Sequence, residues 1–178
     1  LKYVFYNDDN VKKGIDKIPN SLLDIAKIAT NEKIESLDNY KNLFFYINLS
    51  IYVNPTFNEG LFFSAFIYQE LNNFIMAEEI YNKIDKNSFL YLEGQMNIIS
   101  NKNTSGYIDE AEELLKYHIK NDKKNISLLV MLADLYRSSD QLNDCIFSYS
   151  KLIDMKNIDQ DLLSRIFFKR GICYEKQN

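Results

Sequence analysis

The side chains that could do chemistry in this chain are few and lie far apart in the sequence. His118 is the only histidine, and the two cysteines are Cys145 and Cys173. A general base needs a nucleophile or carboxylate beside it, a zinc site needs closely spaced ligand pairs, and two cysteines are too few for a disulfide scaffold. We interpret His118 as a packed histidine and Cys145 as a small core residue without a redox role.

An acidic cluster is the densest group of charged residues that could hold a cation. Because it opens a predicted helix, its carboxylates complement the positive end of the helix dipole, and we expect a solvated first turn rather than a calcium site. The sequence contains no glycine-rich phosphate loop and no G-x-S-x-G motif. We therefore expect a protein without enzymatic activity, cofactor or metal. The cluster consists of Asp109, Glu110, Glu112 and Glu113.

The overall charge argues against two classes of partner. The net charge is −4, so the chain carries no general attraction for phosphate backbones or anionic lipids. No apolar run approaches the roughly 18 residues that a membrane span requires. We expect no nucleic acid partner and no direct membrane insertion.

The chain begins with Leu1 rather than methionine, as expected of a processed product or an excised piece.

Apolar positions recur along the chain with a constant period of 34 residues. A small or apolar residue stands at each repeat of this period, and a large apolar residue follows it by four positions. The first set is Leu43, Ala77, Ala111 and Cys145, and the second is Ile47, Tyr81, Leu115 and Tyr149.

The segments around these positions have apolar residues at helical spacing and polar connections between them. They predict an all-α fold of antiparallel helix pairs without a sheet. Pro55 and the following residues 56–59 are typical of a helix stop and a capping box. The predicted pairs are 21–33 with 37–53, 58–71 with 73–85, 88–102 with 106–121, and 125–138 with 141–155, followed by an unpaired helix at 160–176.

Small residues indicate where paired helices cross closely, because one side must admit the other. In the fourth pair Ala133 and Cys145 are the predicted contacts, with Tyr136 and Tyr149 filling the adjacent space. We expect leucine at Ala133 or Gly171 to overpack such contacts. In the third pair Ile99 occupies the small position and Gly94 lies five residues earlier, which predicts shortened or bent helices there.

These features resemble the tetratricopeptide repeat family, whose helix–turn–helix unit is about 34 residues long, the spacing seen here. The resemblance covers residues 21–178, about four and a half repeats after a lead-in segment 1–20. It implies a right-handed superhelix, an α-solenoid whose first helices line a concave face. The phrases NLSIYVNPTFNEG and FFKRGICYEKQ are also similar to exported multi-repeat proteins of α-proteobacteria, which implies a bacterial periplasm or cell envelope.

The resemblance implies that a peptide or a partner helix binds in the concave groove. The alternative for the phenylalanines among the groove residues is that they belong to the core. The lysine and asparagine set that clamps a terminal carboxylate in some family members is not reproduced. The candidate groove residues each stand one position away from a packing residue of a first helix, and they are Phe62, Phe66, Gln69, Val130, Asp134, Arg137, Phe168 and Ile172.

We therefore expect a non-catalytic scaffold or adaptor that binds a protein segment. Two alternatives remain open at this stage, namely a regulatory helical-repeat region of a larger enzyme and an RNA-binding helical repeat. The apolar helix at 160–176 predicts either a further helix after it or a pairing of two chains through this face.

Overall fold

Residues 17–21, 24 and 37–177 are described by a computed structural model of the chain, with side chains from residue 43 onward in the last of these segments. Nearly all of the lead-in segment and of the predicted helix 21–33 lies outside these residues. Residues 18–21 and 24 are helical. The described residues contain no strand, which agrees with the predicted all-α fold class.

Eight helices follow residue 36 in the described chain. Seven of them match the predicted segments closely at both ends, whereas the second helix of the second pair is shorter than predicted because it ends at Tyr81. The helices are α1 Leu37–Val53, α2 Asn58–Glu70, α3 Phe74–Tyr81, α4 Tyr91–Thr104, α5 Ile108–Asn121, α6 Ile126–Ser138, α7 Leu142–Ile153 and α8 Gln160–Gln177.

The chain divides into two compact units, residues 1–98 and 99–178, and the boundary falls within α4. In the first unit Ala65 and Ala77 are fully buried between α2 and α3.

Gly94 of α4 packs closely against Tyr81, since a Cβ atom at Gly94 would stand 3.1 Å from the ring of Tyr81. Gly94 thus supplies the small residue that Ile99 does not. The helix is not shortened, because α4 runs from Tyr91 to Thr104.

The core of the second unit confirms the predicted packing of the fourth pair. Ala133 and Cys145 are fully buried in one cluster with Tyr149, and Tyr136 packs beside them. Ile166 of α8 enters the same cluster. The small residues therefore let α6 and α7 approach, and the tyrosines fill the space next to the crossing.

The turns between paired helices repeat with the same period as the crossings. Asn72, Gly106 and Asp140 all adopt a left-handed backbone, with φ of 58°, 83° and 54°. The N–H of the next residue bonds back to the carbonyl five residues earlier at 2.8–2.9 Å in each turn. This Schellman-type ending satisfies the last carbonyls of the first helix, and Gly, Asn and Asp tolerate the conformation.

The predicted capping box at residues 56–59 is wrong. α2 has Phe57 at its N-cap position, without a side-chain hydrogen bond to the helix. The carboxamide oxygen of Asn54 instead accepts from the N–H of Thr56 at 3.1 Å. Asn58 accepts from the N–H of Asp85 at 2.9 Å, so its side chain ties the start of α2 to the end of the hairpin.

Cys145 and Cys173 form a disulfide, which corrects the interpretation of Cys145 as an unlinked small core residue. Their Cα atoms are 6.5 Å apart, within the range that a disulfide spans, and the bond joins α7 to α8. The two cysteines lie 28 residues apart in sequence, so only the packing of α8 onto α7 brings them together.

Gly171 corrects a second expectation. A Cβ atom at Gly171 would have no neighbour within 4 Å, so this face of α8 has room for a larger side chain. The predicted overpacking at Gly171 is therefore wrong, whereas Ala133 is fully buried.

These two sites make a matched pair for a packing experiment. We expect Ala133→Leu to lower the free energy of unfolding by about 1–3 kcal/mol, because the larger side chain must force α6 and α7 apart. Gly171→Leu should leave it unchanged or raise it slightly, since leucine favours the helix. Urea unfolding followed by circular dichroism measures both. Equal effects of the two substitutions would contradict the assigned crossing.

The disulfide predicts a dependence of stability on redox state. Opening a loop of this length removes about 3–4 kcal/mol of stabilisation in the chain-entropy account. We expect the urea midpoint to fall when the protein is refolded in dithiothreitol. The Cys145→Ala/Cys173→Ala double variant serves as the control, because its midpoint should not respond to the reductant. An unchanged midpoint for the native sequence would refute the bond.

Candidate functional site

The candidate groove residues lie on first helices of the pairs, and we call the surface that these helices present within each unit the first-helix face of that unit. It comprises α2 in the first unit, and residues 99–104 of α4 together with α6 and α8 in the second. On α2, Phe66 is 41% exposed and Gln69 is half-buried. Phe62 is only 9% exposed and packs edge-to-face on Tyr81 at 5.5 Å between ring centroids. Phe62 is therefore a core residue, because its position on α2 turns it toward α3.

The polar end of Tyr81 reaches this face from inside the first unit. Its hydroxyl donates to the carboxamide oxygen of Gln69 at 3.4 Å and accepts from Asn97 Nδ2 at 3.1 Å. Burial raises the pKa of Tyr81 well above its usual value, so the phenol keeps its proton. One tyrosine thus connects α2, α3 and α4 and holds Gln69 in place.

Tyr149 does the same in the second unit, with charged partners. Its hydroxyl donates to Asp134 Oδ1 at 2.6 Å and also contacts Arg137. Lys169 of α8 bonds to Asp134 Oδ2 at 2.7 Å, and Arg137 lies 3.5 Å from Oδ1. Burial raises the pKa of Tyr149, so it too stays a donor. Asp134 of α6 thus links Tyr149 of α7 to Lys169 of α8.

These two networks show what the sequence analysis found and what it missed. Gln69, Asp134 and Arg137 were predicted from their distance to the packing positions, and the structure brings Asp134 and Arg137 together. Asn97 and Lys169 were missed, because each comes from the first helix of the following pair. Both could have been found by counting along the chain. Asn97 lies two residues before Ile99, and Lys169 lies two residues before Gly171, which are equivalent positions of the repeat.

The third pair differs because Leu115 stands where the other two pairs have tyrosine. A cavity of about 200 Å³ lies beside it, between α4, α5 and α6. Ile99, Leu115 and Leu135 form its buried floor. Its more accessible rim consists of Ser100, Asn103, Met131 and Asp134. The cavity therefore opens onto the first-helix face.

A larger hollow of about 570 Å³ lies between α5, α6 and α7 of the second unit. Leu129 and Leu132 lie among its lining residues, and Lys123 and Lys151 add positive charge. Phe147 is 59% exposed there, with the Lys151 ammonium 4.2 Å from its ring centroid. None of the candidate groove residues lines this hollow.

The end of the second unit exposes several aromatic side chains on α8. Phe168 is 72% exposed, and Phe167 and Tyr174 also face solvent. Val130 and Ile172, the remaining candidate groove residues, are half-buried. Phe168 is therefore surface rather than core, and the pairing of two chains through this helix stays a prediction.

His118 and the acidic cluster make separate contacts in the fold. His118 is buried and stacks edge-on with Tyr117 at 5.1 Å, and burial lowers its pKa. Of the acidic cluster, Glu110 pairs with Lys102 at 2.8 Å. Glu112 pairs with Lys116 at 2.6 Å. Among the described residues, no three His, Cys, Asp or Glu side chains converge as metal ligands.

No helix in the described ranges has both the length and the apolar character that crossing a bilayer demands.

The helix pairs, their periodic turns and their small-residue crossings define the chain as a helical-repeat fold of the tetratricopeptide type.

Comparison with solved structures agrees with this fold. The chain is similar to a tetratricopeptide repeat protein from Parabacteroides merdae, with a TM-score of 0.66, 20% identity, and coverage of 95% of this chain and 62% of that one. It is also similar to MamA, with a TM-score of 0.63, 17% identity, and coverage of 91% and 84%. A MamA RS-1 double mutant matches with a TM-score of 0.61 and 11% identity over 90% and 96%.

No protein-family profile matches the sequence, and no curated protein matches it. The chain spans less than two thirds of the length of the Parabacteroides structure. The likeness therefore shows a tetratricopeptide-type fold, and the function has to be argued from the surface.

The buried tyrosine network predicts a measurable contribution to stability. Tyr149→Phe removes a phenol donor to Asp134, and we expect it to lower the free energy of unfolding by about 1–2 kcal/mol. Tyr107→Phe is the control, because that side chain is 59% exposed. Urea unfolding of both variants measures the difference, and equal midpoints would contradict the role of the Tyr149 hydroxyl.

Proposed function

We propose that the chain is a protein-interaction module that binds an extended peptide or a partner helix on the first-helix face of its second unit. The observation that supports this most directly is the fixed arrangement of Asp134, Arg137 and Lys169, which the buried hydroxyl of Tyr149 anchors from below. A surface whose polar groups are held in place before binding loses less conformational entropy when a partner arrives.

The mixture of side chains on this face also suits a peptide. Phe168 offers exposed aromatic surface on α8, and aromatic residues are enriched at protein interfaces. Asp134 and Arg137 can pair with polar groups of a bound backbone or side chain. The side chains of Asp134, Arg137 and Lys169 are 30–32% exposed, so the cluster stays accessible to a partner while it is held in place.

The other two functions considered from the sequence have less support. An RNA-binding surface needs a basic groove, yet Asp134 lies at the centre of the cluster and the net charge is −4. A regulatory role within a larger enzyme is compatible with the same binding face. We propose a non-catalytic module in either setting.

The disulfide supports a proposal about location. Structural disulfides persist in oxidising compartments and are rare in the cytosol. The buried bond between Cys145 and Cys173 therefore favours a periplasmic or envelope setting, which is the location implied by the similarity to exported repeat proteins.

The binding face can be tested by selecting peptides from a displayed random library on the immobilised chain. We expect peptides whose affinity falls about tenfold or more in Phe168→Ser and in Arg137→Gln, because both side chains belong to the first-helix face. Fluorescence anisotropy with labelled peptides measures the affinities, and circular dichroism confirms that the variants fold.

Phe147→Ser is the matched control for this experiment. It removes a phenylalanine of comparable exposure from α7, where Phe147 lines the larger hollow and none of the candidate groove residues does. Affinity should stay unchanged in this variant. Loss of binding in Phe147→Ser, with none in Phe168→Ser, would move the binding surface to that hollow and overturn the proposal.

A further inference from the structure

The cavity beside Leu115 occupies the place that a phenol ring fills in the pairs on either side of it. Leu115 lies one repeat period after Tyr81 and one before Tyr149. Both tyrosines are fully buried, and each hydroxyl donates to a polar side chain of a first helix. With leucine instead, the third pair lacks both the ring edge and the hydroxyl.

The residues that line the cavity stand at the same repeat positions as residues that surround those two rings. Ser100 corresponds by the repeat period to Asp134, and Asn103 corresponds to Gln69 and Arg137, which are partners of the internal phenols. Met131 corresponds to Asn97, the residue of the following pair that donates to Tyr81. The cavity thus has an apolar floor and polar groups where a phenolic hydroxyl would lie.

The size of the cavity matches one aromatic ring. A cavity of roughly 150 Å³ lined by aliphatic side chains accepts a benzene molecule. The space beside Leu115 measures about 200 Å³. Its floor consists of three buried aliphatic side chains, Ile99, Leu115 and Leu135. An aromatic side chain entering from the rim would bury its ring on this floor and keep its polar end near the face.

We propose that this cavity is an anchor pocket for an aromatic side chain of the bound peptide, with tyrosine as the best-fitting residue. The inference rests on the proposed function, since the peptide must lie on the first-helix face. The phenol of the partner takes the position of the missing internal tyrosine. Its hydroxyl pairs with Ser100 and Asn103, and its ring packs on Leu115.

Asn103 lies at the rim beside Ser138, with its carboxamide oxygen 3.2 Å from the Ser138 hydroxyl oxygen. That hydroxyl also donates to the carbonyl of Leu135 at 2.9 Å, so the Asn103 amide offers both donor and acceptor groups to an incoming hydroxyl. Asp134, at the other side of the rim, is held by Tyr149 and Lys169. The rim is therefore preorganised on the side of Asp134.

The pocket can be tested without knowing the natural partner, by using p-cresol as a free tyrosine side chain. We expect saturable changes in the methyl NMR signals of Ile99, Leu115 and Leu135 when p-cresol is added. The methyl signals of Leu129 and Leu132 report on the larger hollow and should stay unchanged. Changes confined to those two residues, or no saturable change at all, would overturn the proposal.

Leu115→Tyr supplies the missing ring from within the chain and should close the pocket. We expect this variant to lose the p-cresol response and to bind tyrosine-containing selected peptides about tenfold or more weakly. Leu115→Met is the matched control, because it conserves the side-chain volume and should keep both responses. If Leu115→Tyr does not fold, the p-cresol titration of the native sequence decides the question alone.

The outcomes separate this inference from the proposed function. Selected peptides that depend on Phe168 and Arg137, but bind equally well after Leu115→Tyr or after replacement of their aromatic residues by alanine, would refute the anchor pocket only. A library that yields no peptide dependent on the first-helix face would refute the proposed function. Binding that needs Phe168, an aromatic peptide residue and an open pocket supports both.

Discussion

The close crossing of two helices at a small residue is the constraint on which the other features of this structure depend. A helix backbone can approach another only where one side chain is small, and the large residue one turn later must then fill the space beside the contact. Ala77 and Cys145 meet this requirement in the second and fourth pairs, where both are fully buried. Because the crossing fixes the register of the paired helices, it also fixes which residues of the first helix face outward.

The tyrosines that fill these crossings link the core to the surface. Tyr81 and Tyr149 are buried on second helices, yet their hydroxyls end among polar side chains of first helices. Each network also includes a residue of the following pair, Asn97 or Lys169. A single side chain therefore contributes to packing, to the junction between successive pairs, and to the geometry of the face that we propose binds a partner.

The third pair shows how a change at one filler position alters the surface. Ile99 takes the place of a small residue and Leu115 takes the place of a tyrosine, and a cavity opens between them. Gly94 provides close contact elsewhere, against Tyr81 of the preceding pair. The pair keeps its helices and its left-handed turn at Gly106, so the departure affects the side-chain surface rather than the fold.

Much of the fold follows from the sequence alone, because helical periodicity and turn chemistry are local properties. The spacing of apolar residues predicted the helices from residue 37 onward, and the crossing position of the fourth pair was predicted from Ala133 and Cys145, both of which are fully buried. The candidate residues Asp134 and Arg137 were also found by counting from these positions, since a residue's face on a helix depends only on its place in the period.

Other features were decided only by the tertiary structure, because they require separate helices to meet. Nothing in the sequence indicates that Cys145 pairs with Cys173, that Lys169 reaches Asp134, or that Phe62 turns inward onto Tyr81. Gly171 has the spacing of a crossing residue, yet open space lies beside it. Periodicity specifies the face on which a residue lies, whereas the packing of neighbouring helices determines what, if anything, that face contacts.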